Sequence, residues 1–291
     1  MFQYNLMINL LKKTINSLLK RFGYSVIRTS LKYNKKNGEG GGYNKNDLNL
    51  HIGSGGENYP FFINLDMPSE HYKSRQKNHK FIPYDLSKDK LPFKNDTVTN
   101  IFCCHVIEHC VDEAVKKLFT ECIRVLKKTG VFRISCPDSK FLFEVSSFDN
   151  EYWHRSKSQG NWAGQNPDLV GRYDFLIHDI STNKFSRFNT PEYREILSKI
   201  KSMKYKEAMD FLTRDNKADI NKPGNHINFF DYEKIEKMLK DSCLDLNITN
   251  YKVINSKIHG SVSKLMSEDC FDATEYNRRR PMSVYVEFVK L

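Results

Sequence analysis

The chain has 291 residues, 39% of them hydrophobic and 13% aromatic, with a formal net charge of +11. That composition supports a packed core and excludes global disorder, and the length suits one large domain or a smaller one with additions. The seven cysteines form no CxxC pair, which excludes a disulfide framework and a cysteine zinc site and makes a reducing cytosol the expected compartment.

Much of the positive charge lies at the start of the chain. Residues 1–50 hold nine Lys/Arg against two acids, and the rest is only mildly basic. A nucleic-acid enzyme more often spreads its charge over the domain that holds its active site, so nucleic acid is not the expected partner. Residues 1–30 interleave Phe2, Leu6, Ile8, Leu10, Leu11, Ile15, Leu18 and Leu19 with Lys12, Lys13, Lys20 and Arg21. That spacing predicts an amphipathic helix with a basic side. It could pack on the catalytic domain or lie on the inner face of a membrane as a peripheral contact. No run reaches the roughly 18 apolar residues of a membrane span, and no signal-peptide pattern is seen. Residues 32–47 read as a polar, glycine-rich linker, which places the start of the compact domain near Leu48.

From Leu48 onward, strand and helix signals alternate. LNLHIG, FFINLD, KFIPYDL and VTNIFCCHV read as four strands. A helix pattern runs from Asp112 to Leu126 and is expected to stop at Gly130, and VFRISCPD reads as a fifth strand. Such alternation predicts an α/β fold with a mainly parallel sheet covered on both faces. Residues 139–225 are polar and aromatic with weak periodicity, which reads as a lid or substrate insertion. A helix over Asp231–Asp241 leads to LNITNYKVI. The alternating SVYVEFVKL suits an antiparallel last strand. The expected organisation is therefore a helix and linker (1–47), a cofactor-binding half (48–138), an insertion (139–225) and a C-terminal half (226–291).

The first strand feeds a glycine turn, Gly53-Ser54-Gly55-Gly56. Open α/β sheets bind ligands at the carboxyl ends of their strands, and glycine lets the backbone approach a ligand closely. Asn64-Leu65-Asp66 ends the second strand in a carboxylate ten residues after Gly56. A carboxylate there can accept hydrogen bonds from both hydroxyls of a ribose. Asp85-Leu86 follows the third strand signal.

The succession LHIGSGG, INLDM, YDLSKDKLPFKNDTVTNIFCCHVIEH and ECIRVLKKTGVFRISCPD resembles the class I S-adenosylmethionine-dependent methyltransferases. More narrowly, it resembles the type 11-like group found among sugar and surface-polysaccharide enzymes. The resemblance covers about residues 48–138, with a weaker echo from Asn225 onward. It implies a Rossmann-like fold: a seven-stranded, mainly parallel sheet with an antiparallel last strand, helices on both faces and a lid. It implies S-adenosyl-L-methionine as cofactor. Gly53 and Gly55, with His51 and Ser54, would surround its methionine part. Asp66 and Met67 would hold the ribose, Asp85 and Leu86 would lie by the adenine, and Cys104 and His105 would lie beside the cofactor after the fourth strand. Many such enzymes carry an acid where this chain has His51.

Two rival readings are weighed on the same residues. His105-Val106-Ile107-Glu108-His109 fits HxxEH, in which two histidines on one helix face bind zinc. Its position directly after an apolar strand argues against that, so no metal ligand is expected; the resemblance implies instead that the run opens the helix after the fourth strand, where Glu108 and His109 pack or cap. A dinucleotide GxGxxG counted from Gly53 would need a glycine where Asn58 stands. The candidate proton acceptors are His105, by its position after the fourth strand, and His226, at the start of HINFF. The candidate acceptor-binding residues are Trp153, His154 and Tyr173 in the insertion. The expected acceptor is a small molecule or glycan: a hydroxyl or amine of a sugar, nucleotide-sugar or glycan end. A catalytically silent scaffold in glycan assembly and a nucleic-acid methyltransferase stand as alternatives.

Overall fold

A computed structural model describes residues 47–57, 61–77, 80–147, 172–259, 262 and 282–291. The amphipathic segment expected over 1–30, the linker before Asp47, and Trp153 and His154 lie outside the described residues.

Seven strands form one sheet: β1 (Asn49–Ile52), β2 (Ile63–Asp66), β3 (Ile82–Pro83), β4 (Val98–Cys104), β5 (Leu126–Pro137), β6 (Tyr251–Asn255) and β7 (Ser283–Lys290). Their order is β3-β2-β1-β4-β5-β7-β6. β1 to β5 pair parallel, and β7 runs antiparallel to both β5 and β6. This is the sheet expected from the sequence.

Burial follows the strand period of two. On β4, Ile101 and Cys103 join the main core, whereas Phe102 and Cys104 pack with Phe62 and Val131 in a separate cluster. The central strands are thus covered on both faces, as a parallel sheet requires. The main core is completed by α2 (Asp112–Val125) and α8 (Tyr232–Asp245), through Leu118, Phe119 and Cys122 of one and Ile235, Leu239 and Cys243 of the other. Asp231 caps the start of α8, its carboxylate accepting from the Lys234 N–H at 2.7 Å, and the helix runs four residues past the predicted end at Asp241.

Two local expectations are corrected. The helix after β4 stops at Val125, because Leu126 is already extended (φ −67°, ψ 126°). Gly130 therefore lies within β5, where a Cβ would meet Leu126 Cγ and the Lys127 carbonyl, both at 2.8 Å. HVIEH does not open that helix either: His105 has φ +53° and residues Ile107–His109 form a separate 3₁₀ turn. Within 139–225, the described residues include five helices. These are α3 (Ser139–Ser147), α4 (Arg172–Ile180), α5 (Thr182–Phe185), α6 (Pro191–Ser202) and α7 (Tyr205–Thr213), while α1 (Lys73–Gln76) lies between β2 and β3. These helices enclose a core of their own around Leu142, Phe175, Leu176, Tyr193, Ile200 and Met209. Thr190 and Pro191 start α6, the Thr190 hydroxyl accepting from the Tyr193 N–H at 3.2 Å, the arrangement preferred at a helix N-terminus. The bundle meets the sheet where Asp138 bridges to Phe230 and the Ser139 N–H and hydroxyl both donate to the Phe230 carbonyl.

Candidate active site

The order of the sheet changes direction at β1. The chain runs outward through β2 and β3, then returns to β4 on the other side of β1. The carboxyl ends of β1 and β4 therefore flank the crevice where open α/β sheets bind their ligands. Both ends carry unusual backbone. Gly53 and Gly55 have φ +66° and +62°, and His105 has φ +53°.

Gly53 is required twice over. Its φ is left-handed, and a Cβ there would lie 2.2 Å from Val106 Cγ2. The glycine turn thus packs directly on the segment that follows β4. A Cβ on Gly55 would meet nothing within 4 Å, so only φ calls for glycine at that position. The turn is tied to β2 from two sides. Gly53 N–H donates to the Leu65 carbonyl at 2.8 Å. Asp66 Oδ2 accepts from Gly55 N–H at 2.7 Å and Oδ1 from Met67 N–H at 2.8 Å. The two backbone amides fix the orientation of this half-buried carboxylate. A left-handed glycine turn braced by an acid at the end of the neighbouring strand fits the methionine and ribose parts of S-adenosylmethionine.

The remaining predicted cofactor residues are placed as follows. Ser54 is buried, and its carbonyl accepts from Glu57 N–H at 2.8 Å. His51 is buried on β1 with its ring 5.3 Å from that of Phe102. Cys104 ends β4, its sulfur accepting from the Ser135 hydroxyl at 3.0 Å. Leu86 packs against the main core. Asp85 closes its own turn: Oδ1 accepts from the Ser87 N–H and hydroxyl at 2.9 and 2.5 Å, and Oδ2 lies 3.2 Å from Lys88 Nζ. Partial burial pushes the Asp85 carboxyl up, but the Ser87 donors and the Lys88 ammonium outweigh it and hold the group below the ordinary value.

After β4 the chain builds a polar knot around Glu108, which is 1% exposed. His105 Nδ1 lies 2.9 Å from Glu108 Oε1, and His105 Nε2 lies 3.1 Å from the Ser283 hydroxyl at the start of β7. The Glu108 carbonyl accepts the N–H groups of Ile227 and Asn228 at 2.9 and 3.2 Å. Those bonds bring the return segment, with His226, against the turn. The His109 and His226 rings lie 4.9 Å apart, edge to face. Burial would raise the Glu108 carboxyl, but His105, His109 and His226 bring it down to about 2. Burial also lowers the His109 imidazole below its ordinary value.

The structure thus brings the two candidate histidines, His105 and His226, to one carboxylate. Tyr173 lies instead on α4, packed against the helical core with Lys201 5.9 Å over its ring. Glu108 is the residue that the sequence reading set aside as packing or capping. Its neighbour His226 comes from the far side of the insertion, so no local spacing announces the contact.

Residues 57–134 match the family model described as a methyltransferase domain. Sheet order and family match agree on a methyltransferase-type Rossmann-like fold over this part of the chain. No curated protein matches the chain. Among solved structures, a protein of Pyrococcus horikoshii is 27% identical over 33% of this chain and 52% of its own length, with a TM-score of 0.27. The chain thus spans about half the length of that protein. An S-adenosylmethionine-dependent methyltransferase of Mesorhizobium loti is 12% identical over 85% of this chain and 93% of its own, with a TM-score of 0.42. One from Archaeoglobus fulgidus is 12% identical over 84% and 86%, with a TM-score of 0.39. The fold assignment rests on the sheet and the family match rather than on these three.

Proposed function

We propose that this chain methylates a hydroxyl or amine of a sugar, nucleotide-sugar or glycan, with His105 as the proton acceptor. S-adenosylmethionine, when bound, supplies a methyl group already activated on a sulfonium sulfur. The chain must hold the acceptor atom about 3 Å from that carbon and take its proton. The observation that carries the reading is the pairing of His105 with Glu108 at the end of β4. An ionised carboxylate only accepts, so the hydrogen sits on Nδ1 and Nε2 keeps the lone pair. Ser283 Oγ lies 3.1 Å from Nε2, in the place an acceptor hydroxyl would take. His105 keeps 14% of its side chain exposed against 2% for Glu108, so the imidazole is the group a substrate can reach. His105 directly follows β4 at the crevice, whereas His226 comes from the return segment after the insertion, which favours His105 over it as base.

The sugar assignment is supported by the sequence resemblance, and the acceptor pocket is assigned to the helices of residues 139–225. Asp66 and Met67 are assigned to the ribose, and Asp85 and Leu86 to the adenine. The basic amphipathic segment 1–30 would bring a cytoplasmic enzyme to an anionic membrane surface. Among the described residues no helix is long and apolar enough to cross a membrane. The test is transfer from methyl-labelled S-adenosylmethionine to a panel of sugars, nucleotide-sugars, oligosaccharides and RNA. Label in a sugar-containing acceptor is expected. Label confined to RNA would overturn the acceptor class, and no cofactor binding at millimolar concentration would sink the enzyme itself.

A further inference from the structure

Among the described residues, one group of metal-ligating side chains stands out beside the cofactor crevice. Glu108 and His109 of the 3₁₀ turn and His226 of the return segment each offer a ligand atom, and these atoms all lie within 4.8 Å of one another. Both imidazoles are oriented through Nδ1. His109 Nδ1 is 3.1 Å from the Asn225 carbonyl oxygen, and His226 Nδ1 is 2.6 Å from that of Asp179. A carbonyl only accepts, so in each neutral ring Nδ1 carries the hydrogen and Nε2 holds the lone pair. Ligating histidines are held in this way, by a carbonyl or carboxylate behind the ring. Glu108 supplies the second indication. It is 1% exposed, and its Oε2 has no hydrogen-bond partner among the described residues. A buried anionic oxygen in that state calls for a compensating cation.

We infer that Glu108, His109 and His226 form a binding site for a divalent transition-metal cation, of which zinc fits the ligand chemistry best. Calcium and magnesium prefer shells of oxygen. Two imidazoles and one carboxylate suit zinc, and three protein ligands leave a fourth position for a water or a hydroxyl. Ligand bonds of about 2.0–2.1 Å put tetrahedral neighbours roughly 3.4 Å apart, so ligand atoms now within 4.8 Å of one another draw together when the cation binds. This set is not the HxxEH arrangement weighed in the sequence. His105 is not a ligand here, because its ring nitrogens face Glu108 and Ser283. The inference does not depend on the identity of the methyl acceptor.

The experiment uses the full chain, stripped with a chelator and reloaded with zinc or cobalt(II). One zinc per chain and visible cobalt d–d absorption of low coordination number are expected. His226→Gln and His109→Gln should each weaken zinc binding at least about tenfold, while His71→Gln, on the exposed loop before α1, should leave it unchanged. His226→Cys puts a thiolate in the sphere and should add a near-ultraviolet sulfur-to-cobalt charge-transfer band. That signature decides the matter if a glutamine variant does not fold. Zinc no better retained than background by the wild type, affinity unmoved by both glutamine variants, or a folded His226→Cys without the new band would each overturn the site. S-adenosylmethionine binding by the same metal-free protein is a separate readout that bears only on the methyltransferase reading.

Discussion

Asp66 and Gly55 hold each other. The carboxylate at the end of β2 accepts the Gly55 N–H at 2.7 Å, so it braces the glycine turn before any ribose is present. Removing it should loosen the turn and take away the ribose acceptor together. Asp66→Ala is expected to weaken S-adenosylmethionine binding by the loss of at least one charge-assisted hydrogen bond, about 1.5–3 kcal/mol, or about ten- to a hundredfold in Kd. Isothermal titration calorimetry reads this directly, and an unchanged Kd would refute the ribose assignment.

The two glycines of the turn should respond differently to alanine. At Gly55 only the left-handed φ resists a side chain, a cost of about 1–2 kcal/mol. At Gly53 the new methyl would also meet Val106 at 2.2 Å, adding an overpacking cost of about 1–3 kcal/mol. Urea denaturation should therefore rank Gly53→Ala as clearly the more destabilising, and equal midpoints would show that Val106 yields freely.

Arg133 and Glu287 face each other across β5 and β7, with Nη1 3.3 Å from Oε1 and side chains 4% and 0% exposed. Glu287 Oε2 also accepts the Val262 N–H at 2.8 Å, and the Arg133 guanidinium lies 5.2 Å from the Tyr285 ring centre. Glu287→Ala leaves a buried guanidinium without its counter-charge, so a loss of about 3–5 kcal/mol is expected. The apolar double variant Arg133→Met/Glu287→Leu should recover most of it, measured by the same denaturation experiment.

Acid should find Glu121. Burial pushes this carboxyl up, but hydrogen bonds from Arg124 and the Leu91 N–H outweigh it, and its folded value lies below the ordinary 4.5. A depressed folded value means that the stabilisation is present above about pH 4.5 and is lost as pH falls through the folded value. Glu121→Gln should be less stable than the wild type near neutrality and should converge with it in acid. Parallel stability curves across that range would contradict the sign.

His105→Asn should separate chemistry from cofactor binding. If His105 takes the acceptor proton, kcat should fall about 100- to 10,000-fold, while the calorimetric Kd for S-adenosylmethionine changes little. A comparable loss in both would make His105 a structural support of the β4 end.

The sheet was readable because its strands are short apolar runs ended by glycine or aspartate, as at Ile52-Gly53 and Leu65-Asp66, and those endings also carry the residues proposed to hold the cofactor. The helices of 139–225 were not readable. Several are short, α5 has only four residues, and the apolar face of each is spread over aromatic side chains such as Phe175, Phe185 and Tyr193. HVIEH misled because its spacing suggests one helix, whereas His105 takes φ +53° and directs its ring to Ser283. That partner belongs to the last strand of the sheet, so only tertiary structure shows it. The grouping of Glu108 with His226 was hidden for the same reason.

The separate core of the helices between Leu142 and Leu212 bears on how this chain can diverge. Those helices reach the sheet through a few polar anchors: the Ser139 bond to the Phe230 carbonyl, the Tyr205 hydroxyl on Asp231, and the Asn216 amide on the Ile227 carbonyl. While these anchors stand, the outer faces of the bundle can be recut residue by residue without disturbing Leu50, Ile101 or Phe132 beneath the cofactor turn. The part of the molecule assigned to choosing the acceptor is thus free to vary at a rate that the glycine turn and its bracing carboxylate cannot follow.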